Sequence, residues 1–381
     1  MKTPPMAELA VAAAAGSPSP PEQSWQAWRA LASRRACVLV DARTDAEYRT
    51  GQVPGALSLP LLDAVERHEV GLRYQQQGRS DAVALGLEIF AAKVAEFNSD
   101  ALRLLGPPTA DRLVGVHCWR GGMRSRFTAF WLRLLGYNVT VIAGGYRAYR
   151  QLMLHALDDF ASRSLLVLDG RTGAGKSELI RRCLGRVPTV DFEGIARHRG
   201  SAFGDFAQKE PVPTQQNFEN QLAEAFLALG EAPRILVEIE NLIGPLALPR
   251  PLREKIVASP VVLVERDFEE RVERLATEYA AGWGETEDAL FAQRCEMLRR
   301  HVKGPQRERI IQATQQRDFH TATRLLLELR YDTVYDKGLA RRESRIIARF
   351  NLTRELDQAL RFILDYLRPG YDSKEGHSLK G

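Results

Sequence analysis

Two stretches of this chain hold residue types that do chemistry. The first is Val114-Gly-Val-His-Cys-Trp-Arg-Gly-Gly-Met-Arg-Ser125, an apolar run ending in a cysteine and followed by a glycine pair. Phe127, Phe130, Trp131, Leu134 and Leu135 follow at helical spacing. That order predicts a strand, a tight loop and a helix N-terminus, with Cys118 at the strand's carboxyl end. Gly121 and Gly122 let successive N–H groups turn toward one point. With the helix N-terminus behind them and Trp119, Arg120 and Arg124 beside them, such a cradle favours a thiolate and lowers its pKa. It suits a bound anion or a sulfur-bound persulfide equally. A buried structural cysteine is the plain alternative; the Gly-Gly-x-Arg-Ser turn tips the reading toward a nucleophile.

The second stretch begins with the apolar run Ser164–Asp169 and enters Gly170-Arg-Thr-Gly173-Ala174-Gly175-Lys176-Ser177. This is a complete G-x-x-x-x-G-K-S phosphate loop, with a strand before it and a helical pattern after it. Its backbone amides, the helix N-terminus and Lys176 suit a phosphate, and Ser177 can reach a phosphate oxygen or Mg²⁺. Further strands are predicted at Pro188–Phe192, Arg234–Ile239 and Val261–Glu265. Glu193 follows the first, and Glu238 and Glu240 end the second, at the edge where open parallel sheets bind ligands. Carboxylates alternate there, and no water-positioning residue of a nucleotide hydrolase can be read. Gripping a phosphorylated substrate suits these residues at least as well as ATP hydrolysis.

The elements that must position the cysteine read as a short helix at Trp25–Leu31, strands at Cys37–Asp41 and Val139–Ala143, and a helix over 81–105. Asp41 and Arg43, with Glu47 four residues on, predict a buried ion-pair network that fixes the loop after the strand. Strands alternating with helices predict α/β architecture with a parallel sheet in each half. The division is a flexible tail over 1–24, a first domain over 25–155, a phosphate-loop domain over 156–367 and a flexible tail over 368–381. From Phe268 to Leu367 the pattern is helical and rich in arginine (Arg299-Arg300, Arg307, Arg309, Arg341-Arg342, Arg349). Tyr279, Trp283, Phe319, Tyr331 and Tyr335 are interleaved. Basic and aromatic groups together suit a folded RNA, and ordinary helices with a solvated face are the alternative.

At 381 residues, 45% hydrophobic and 27% charged, the chain has the make-up of a soluble globular protein of two domains. A net charge of +5 is modest, and the pI near 9 leans toward polyanionic partners such as nucleic acid. Cys37, Cys118, Cys183 and Cys295 form no C-x-x-C pair. A disulfide framework or zinc site is therefore not expected, and a reducing cytoplasm is. The apolar run Leu9–Ala15 follows Glu8 and is flanked by prolines, unlike a signal peptide, and no run is long enough to span a membrane.

The first domain resembles the rhodanese family. The resemblance is carried by Asp41-Ala-Arg43, Glu47-Tyr48, Gly51-Gln-Val-Pro-Gly-Ala56, the Cys118 loop, Leu135-Gly136-Tyr137 and Gly144-Gly145-Tyr146. It implies that Cys118 accepts and hands on a chalcogen atom. Gln52 stands where that family commonly has His. The loop is one residue longer than usual, giving the Cys-x5-Arg spacing of cysteine phosphatases. A rhodanese unit with Cys-Trp-Arg-Gly-Gly-Met-Arg-Ser, fused to a phosphate-loop unit, resembles the tRNA 2-selenouridine synthase family. Asp191-Phe-Glu193 through Gly204, Gln215-x-x-Phe218-Glu219-Asn220, and Glu238-x-Glu240 with Gly244 extend the likeness over roughly residues 36 to 350. That resemblance implies selenium transfer from selenophosphate to a wobble 2-thiouridine of tRNA, through an S-geranylated intermediate made with geranyl diphosphate. It implies no tightly bound cofactor, no membrane partner, and Glu193, His198, Arg199, Glu238 and Glu240 as candidates for Mg²⁺, proton transfer or the transferred group. A phosphate-loop kinase or nucleotidase with a phosphatase-like or regulatory first unit, and a non-catalytic RNA-binding adaptor, are the rival readings.

Overall fold

The computed structural model describes residues 20–199, 210–240, 242–281, 302–368 and 370. Trp283, Cys295, Arg299, Arg300, Gly204 and nearly all of both expected tails lie outside the described residues. The chain divides into two compact units, Met1–Leu154 and His155–Gly381.

The first unit contains, in chain order, β1 (Glu22–Gln23), α1 (Trp25–Ala32), β2 (Cys37–Asp41), α2 (Asp45–Thr50), β3 (Leu57–Ser58), α3 (Ala64–Gln77), α4 (Arg79–Leu105), β4 (Leu113–His117), α5 (Met123–Leu134) and β5 (Asn138–Ile142). Helix α6 (Gly145–Ala161) follows. The strands form one parallel sheet in the order β1-β5-β4-β2-β3. Side chains fix the helix starts: Ser24 caps α1, and Thr44 with Glu47 and Asp63 with Glu66 form capping boxes on α2 and α3. Strand β4 is buried along its whole length. Val114, Val116, Leu132, Phe90 and Trp131 pack in one core, each contributing about 1.5–3 kcal/mol on burial. Register sets Asp41 of β2 level with His117 of β4, so the loops after both strands leave from one edge. Residues 22–23, expected within a flexible tail, are instead a paired strand. The free edge of β5 has amides to satisfy, and Val141 and Ala143 donate to the Pro21 and Gln23 carbonyls.

The second unit runs β6 (Ser164–Asp169), α7 (Lys176–Cys183), α8 (Phe192–Ala196), α9 (Gln215–Ala228), β7 (Arg234–Glu238), the hairpin β8–β9 (Leu242–Ile243 and Leu246–Ala247), α10 (Arg250–Ala258) and β10 (Val261–Glu265). It continues with α11 (Phe268–Ala281), α12 (Gly304–Gln315), α13 (Phe319–Leu326), a π turn at Leu327–Tyr331, α14 (Asp332–Leu339), β11 (Ile346–Asn351) and α15 (Leu356–Tyr366). Its parallel sheet is ordered β11-β10-β6-β7. Leu166, Leu168, Val262 and Val264 are fully buried in its core. Two expectations are corrected. Residues 188–192 do not make a strand: Thr189 bridges Leu236 alone, and Asp191 caps α8 at once. The arginine-rich helical region contains the edge strand β11, which pairs along β10 from Val261↔Ile346 to Glu265↔Asn351.

Candidate functional site

In the first unit, Cys118 leaves the end of β4 and lies at the floor of its loop, 4% exposed. Its Sγ is 3.3 Å from the hydroxyl of Ser125, which donates to the Gly122 carbonyl at 3.0 Å. Ser125 is thus placed either to receive the thiol proton or to turn its own proton toward a sulfur anion. The loop is held from one side by the opening turn of α6. Tyr146 N donates to the Cys118 carbonyl at 2.8 Å, and Arg147 N to that of Trp119 at 2.9 Å. These are amides that a helix start leaves without partners of its own. All described peptide bonds are trans, so with those carbonyls facing α6 the N–H groups of Trp119 and Arg120 face away from it. Gly145 makes the approach possible: it sits at φ +56°, and a Cβ there would stand 2.2 Å from the Cys118 carbonyl oxygen and 2.5 Å from Gly121 N.

The charges around this loop differ from the expected network. Arg43 pairs with Asp41 at 2.6 Å and donates to the Gly51 carbonyl, both side chains being almost fully buried. Its guanidinium lies 3.9 Å from the Tyr146 ring centre. Glu47 is not part of that pair. It grips Arg124 in a fork, at 2.7 Å from Nη1 and 3.1 Å from Nη2. Although burial alone would raise it, the Arg124 guanidinium holds the Glu47 carboxyl down at about 2. Arg124 therefore enters the cradle already half-neutralised. Trp119 is 38% exposed and leans on Tyr146, and the Arg120 side chain is exposed at the loop. His117, beneath the loop, is kept neutral chiefly by burial.

In the second unit the phosphate loop joins β6 to α7. Gly173 has φ +79°, and a Cβ on it would press on Leu275 at 2.9 Å. A cavity of about 340 Å³ lies over this loop, lined by residues 171–178, Asp191, Glu193, Arg199, Glu240, Leu275 and others. Lys176 Nζ donates to the Gly170 carbonyl at 2.8 Å, and the Ser177 hydroxyl donates to Glu193 at 2.6 Å. Behind Glu193 stands Glu238, which accepts the Glu193 amide at 2.9 Å and has its second oxygen buried without a partner. Burial, and for Glu238 the neighbouring Glu193 carboxyl, push both upward. Glu240 is pushed up to about 7, by burial first and then by Glu193 and Asp169 against the pull of Lys176.

Of the sequence candidates, the structure brings Gly173, Ala174, Gly175, Lys176, Ser177, Glu193, Arg199 and Glu240 around one cavity. Gly170 does not line it and meets the site only through its carbonyl, which accepts from Lys176. His198 and Glu238 do not line it. The His198 ring packs on Gly244, at 2.5 Å from where a Cβ would stand, and Glu238 is fully buried. Arg199 is tied to Glu278 at 2.7 Å. Among the described residues no group of three or more His, Cys, Asp or Glu is arranged to hold a metal ion. Sequence reasoning missed Ser125, and it missed a clamp on the phosphate loop. The Tyr335 hydroxyl donates to Asp169 at 3.0 Å, Arg342 pairs with Asp169 at 3.2 Å, and Arg171 pairs with Asp336 at 2.7 Å. The aromatics read as RNA-stacking groups are used otherwise: Tyr279, Phe319 and Tyr331 pack in the core of α11–α13, and Tyr335 is in the clamp. No described helix is long and apolar enough to cross a membrane.

Comparison with known proteins agrees with this division. Residues 24–152 match the rhodanese-like domain model, and residues 163–296 match the model of the tRNA 2-selenouridine synthase AAA domain. A tRNA 2-selenouridine synthase of Marinobacter nauticus is 31% identical over 82% of this chain and 90% of its own length. One from Cronobacter sakazakii is 34% identical over 83% and 90%. A third, from Shewanella piezotolerans, is 39% identical over 63% of this chain and 65% of its own length, so that match spans just under two thirds of the relative.

Proposed function

The chain belongs to the tRNA 2-selenouridine synthase family, and on that premise we propose that it exchanges the sulfur of a tRNA wobble 2-thiouridine for selenium, with one unit serving each step. The phosphate-loop unit grips geranyl diphosphate. The thiocarbonyl sulfur bonds to the geranyl carbon as the C–O bond breaks, diphosphate departs, and the base gives up its N3 proton. Alkylation turns a poor leaving group at C2 into a good one. The Cys118 thiolate then bonds to C2 as the alkylated sulfur leaves as geranylthiol, selenium from selenophosphate bonds to C2 as the Cys118 thiolate departs, and water takes the phosphoryl group from selenium as phosphate. Cys118 is thus the nucleophile of this second step, with Gly121, Gly122 and Arg124 as its anion cradle. Gly170, Gly173, Gly175, Lys176 and Ser177 hold the diphosphate. No resident cofactor takes part, and Mg²⁺ would enter as the counter-ion of the diphosphate. A tRNA substrate assigns the protein to the cytoplasm.

The observation that supports this reading is the presence, on one chain, of an amide-built cradle with a thiol at its floor and a second cradle with none. Mass analysis of tRNA nucleosides after incubation with selenophosphate and geranyl diphosphate tests it. The intact protein is expected to yield both geranylated and selenated nucleosides. Cys118→Ser is expected to lose the selenated nucleoside, by at least about 100-fold, and to keep the geranylated one. Equal loss of both overturns the division of labour, and ATP turnover that ignores tRNA favours a kinase or nucleotidase.

A further inference from the structure

Alkylating the sulfur of 2-thiouridine creates a proton problem. The base must lose its N3 proton to end as a neutral ring, and the group that takes it must sit where the diphosphate sits. Five carboxylates line the cavity over the phosphate loop: Glu178, Asp191, Glu193, Glu240 and Glu278. Four are committed elsewhere. Glu178 is shared among Arg182, Arg266 and Arg274. Asp191 caps α8 through the Gly194 amide at 2.7 Å, Glu193 accepts from Ser177, and Glu278 is paired with Arg199. Glu240 alone of the five makes no hydrogen bond or ion pair with a described residue.

We propose that Glu240 is the general base of the alkylation step, a role that rests on reading this unit as the one that binds the allylic diphosphate. As the sulfur–carbon bond forms and the carbon–oxygen bond to diphosphate breaks, a Glu240 oxygen takes the proton from N3. The N–H pair then becomes the ring's N3=C2 double bond, and Glu240 later returns the proton to water. The groups that set its ionisation are Lys176 at the head of α7, Glu193 on α8, Asp169 and Glu238 at the ends of β6 and β7, and Arg342 beyond α14. The three carboxyl groups oppose its charge and the two cations favour it. Burial is the largest upward push, the carboxyl groups add to it, and Glu240 is raised to about 7, where a base is both ionised and strong enough to accept a proton near neutrality.

The test compares the intact protein with Glu240→Gln on three readouts: geranylation rate against pH, affinity for geranyl diphosphate, and selenation of tRNA already geranylated. For Glu240→Gln we expect geranylation at neutral pH to fall about 100-fold. The rise in rate with pH seen for the intact protein should flatten, while diphosphate affinity and selenation of geranylated tRNA stay near normal; retained selenation also shows that the variant folds. An unchanged rate and pH profile overturns the proposal. So does a fall that only tracks lost diphosphate binding, since Glu240 would then be a binding residue. An intact protein that forms no geranylated nucleoside overturns the underlying assignment and this proposal with it.

Discussion

Glu47 and Glu240 are the same residue type beside two anion-binding loops, and their surroundings push them in opposite directions. Glu47 faces a guanidinium in a two-point fork and is held at about 2. Glu240 is half-buried among carboxyl groups, with Lys176 and Arg342 to offset them, and is raised to about 7. The first is a fixed countercharge: it orients Arg124, tempers the cradle's positive field and keeps its own proton state at any physiological pH. The second is poised to change state. Burial raises both, and what separates them is whether a cation comes within hydrogen-bonding distance. On the proposed division of labour, the cradle in which a base is alkylated needs a proton acceptor and the thiol cradle does not.

Four perturbations break or sharpen this contrast, with Gly122→Ala as a control for the first. The largest effect is expected from Gly145→Ala, because the new Cβ would collide with backbone on the Cys118 loop and not with a yielding side chain. A cost of about 3 kcal/mol or more is expected, read as a lower melting temperature for the first unit's transition. Gly122→Ala, which meets nothing within 4 Å, should stay within about 0.5 kcal/mol.

Next is Glu47→Gln, expected to cost about 2 kcal/mol at neutral pH by unlocking Arg124. The sign follows from a folded pKa below the ordinary carboxylate value. The contribution is fully present above about pH 5 and is lost as pH falls toward 2, so urea titrations of the two proteins should converge in acid. At Glu240 the sign reverses. Its folded pKa is raised, so the intact fold loses stability as pH climbs from the ordinary carboxylate range to about 7. Glu240→Gln should therefore gain stability at pH 8 and none at pH 4. Last is Lys176→Ala, expected to weaken geranyl diphosphate binding about tenfold by calorimetry, or about 1.4 kcal/mol, the loop amides and helix N-terminus remaining. Unchanged affinity would remove Lys176 from the site.

Both loops were legible in the sequence because each is local: a strand, glycines where the backbone must turn, and a helix start, all within a dozen residues. The parallel sheets were legible for the same reason, as short apolar runs between helical patterns. What the sequence hid was non-local or weakly patterned. Strand β11 interrupts its apolar residues with Arg349 and alternates in exposure, as an edge strand does, so it reads like the arginine-rich helices around it. Asp191 and Glu193 looked like the end of a strand because Thr189-Val190 is β-branched; capping by Asp191 won over that propensity. Glu47 lies four residues after Arg43, which suggested that pairing, whereas its actual partner Arg124 is 77 residues away and only the fold brings the two together. The clamp of Tyr335 and Arg342 on Asp169 spans more than 160 residues of sequence, and no local signal announces it.

The turn that begins α6 has a bearing on protein engineering. Its amides and Gly145 shape the Cys118 loop from more than twenty residues downstream, so the twelve residues from Val114 to Ser125 are not a portable cassette. Grafted onto another scaffold without a glycine-led helix beneath them, they would keep the thiol and lose the mould.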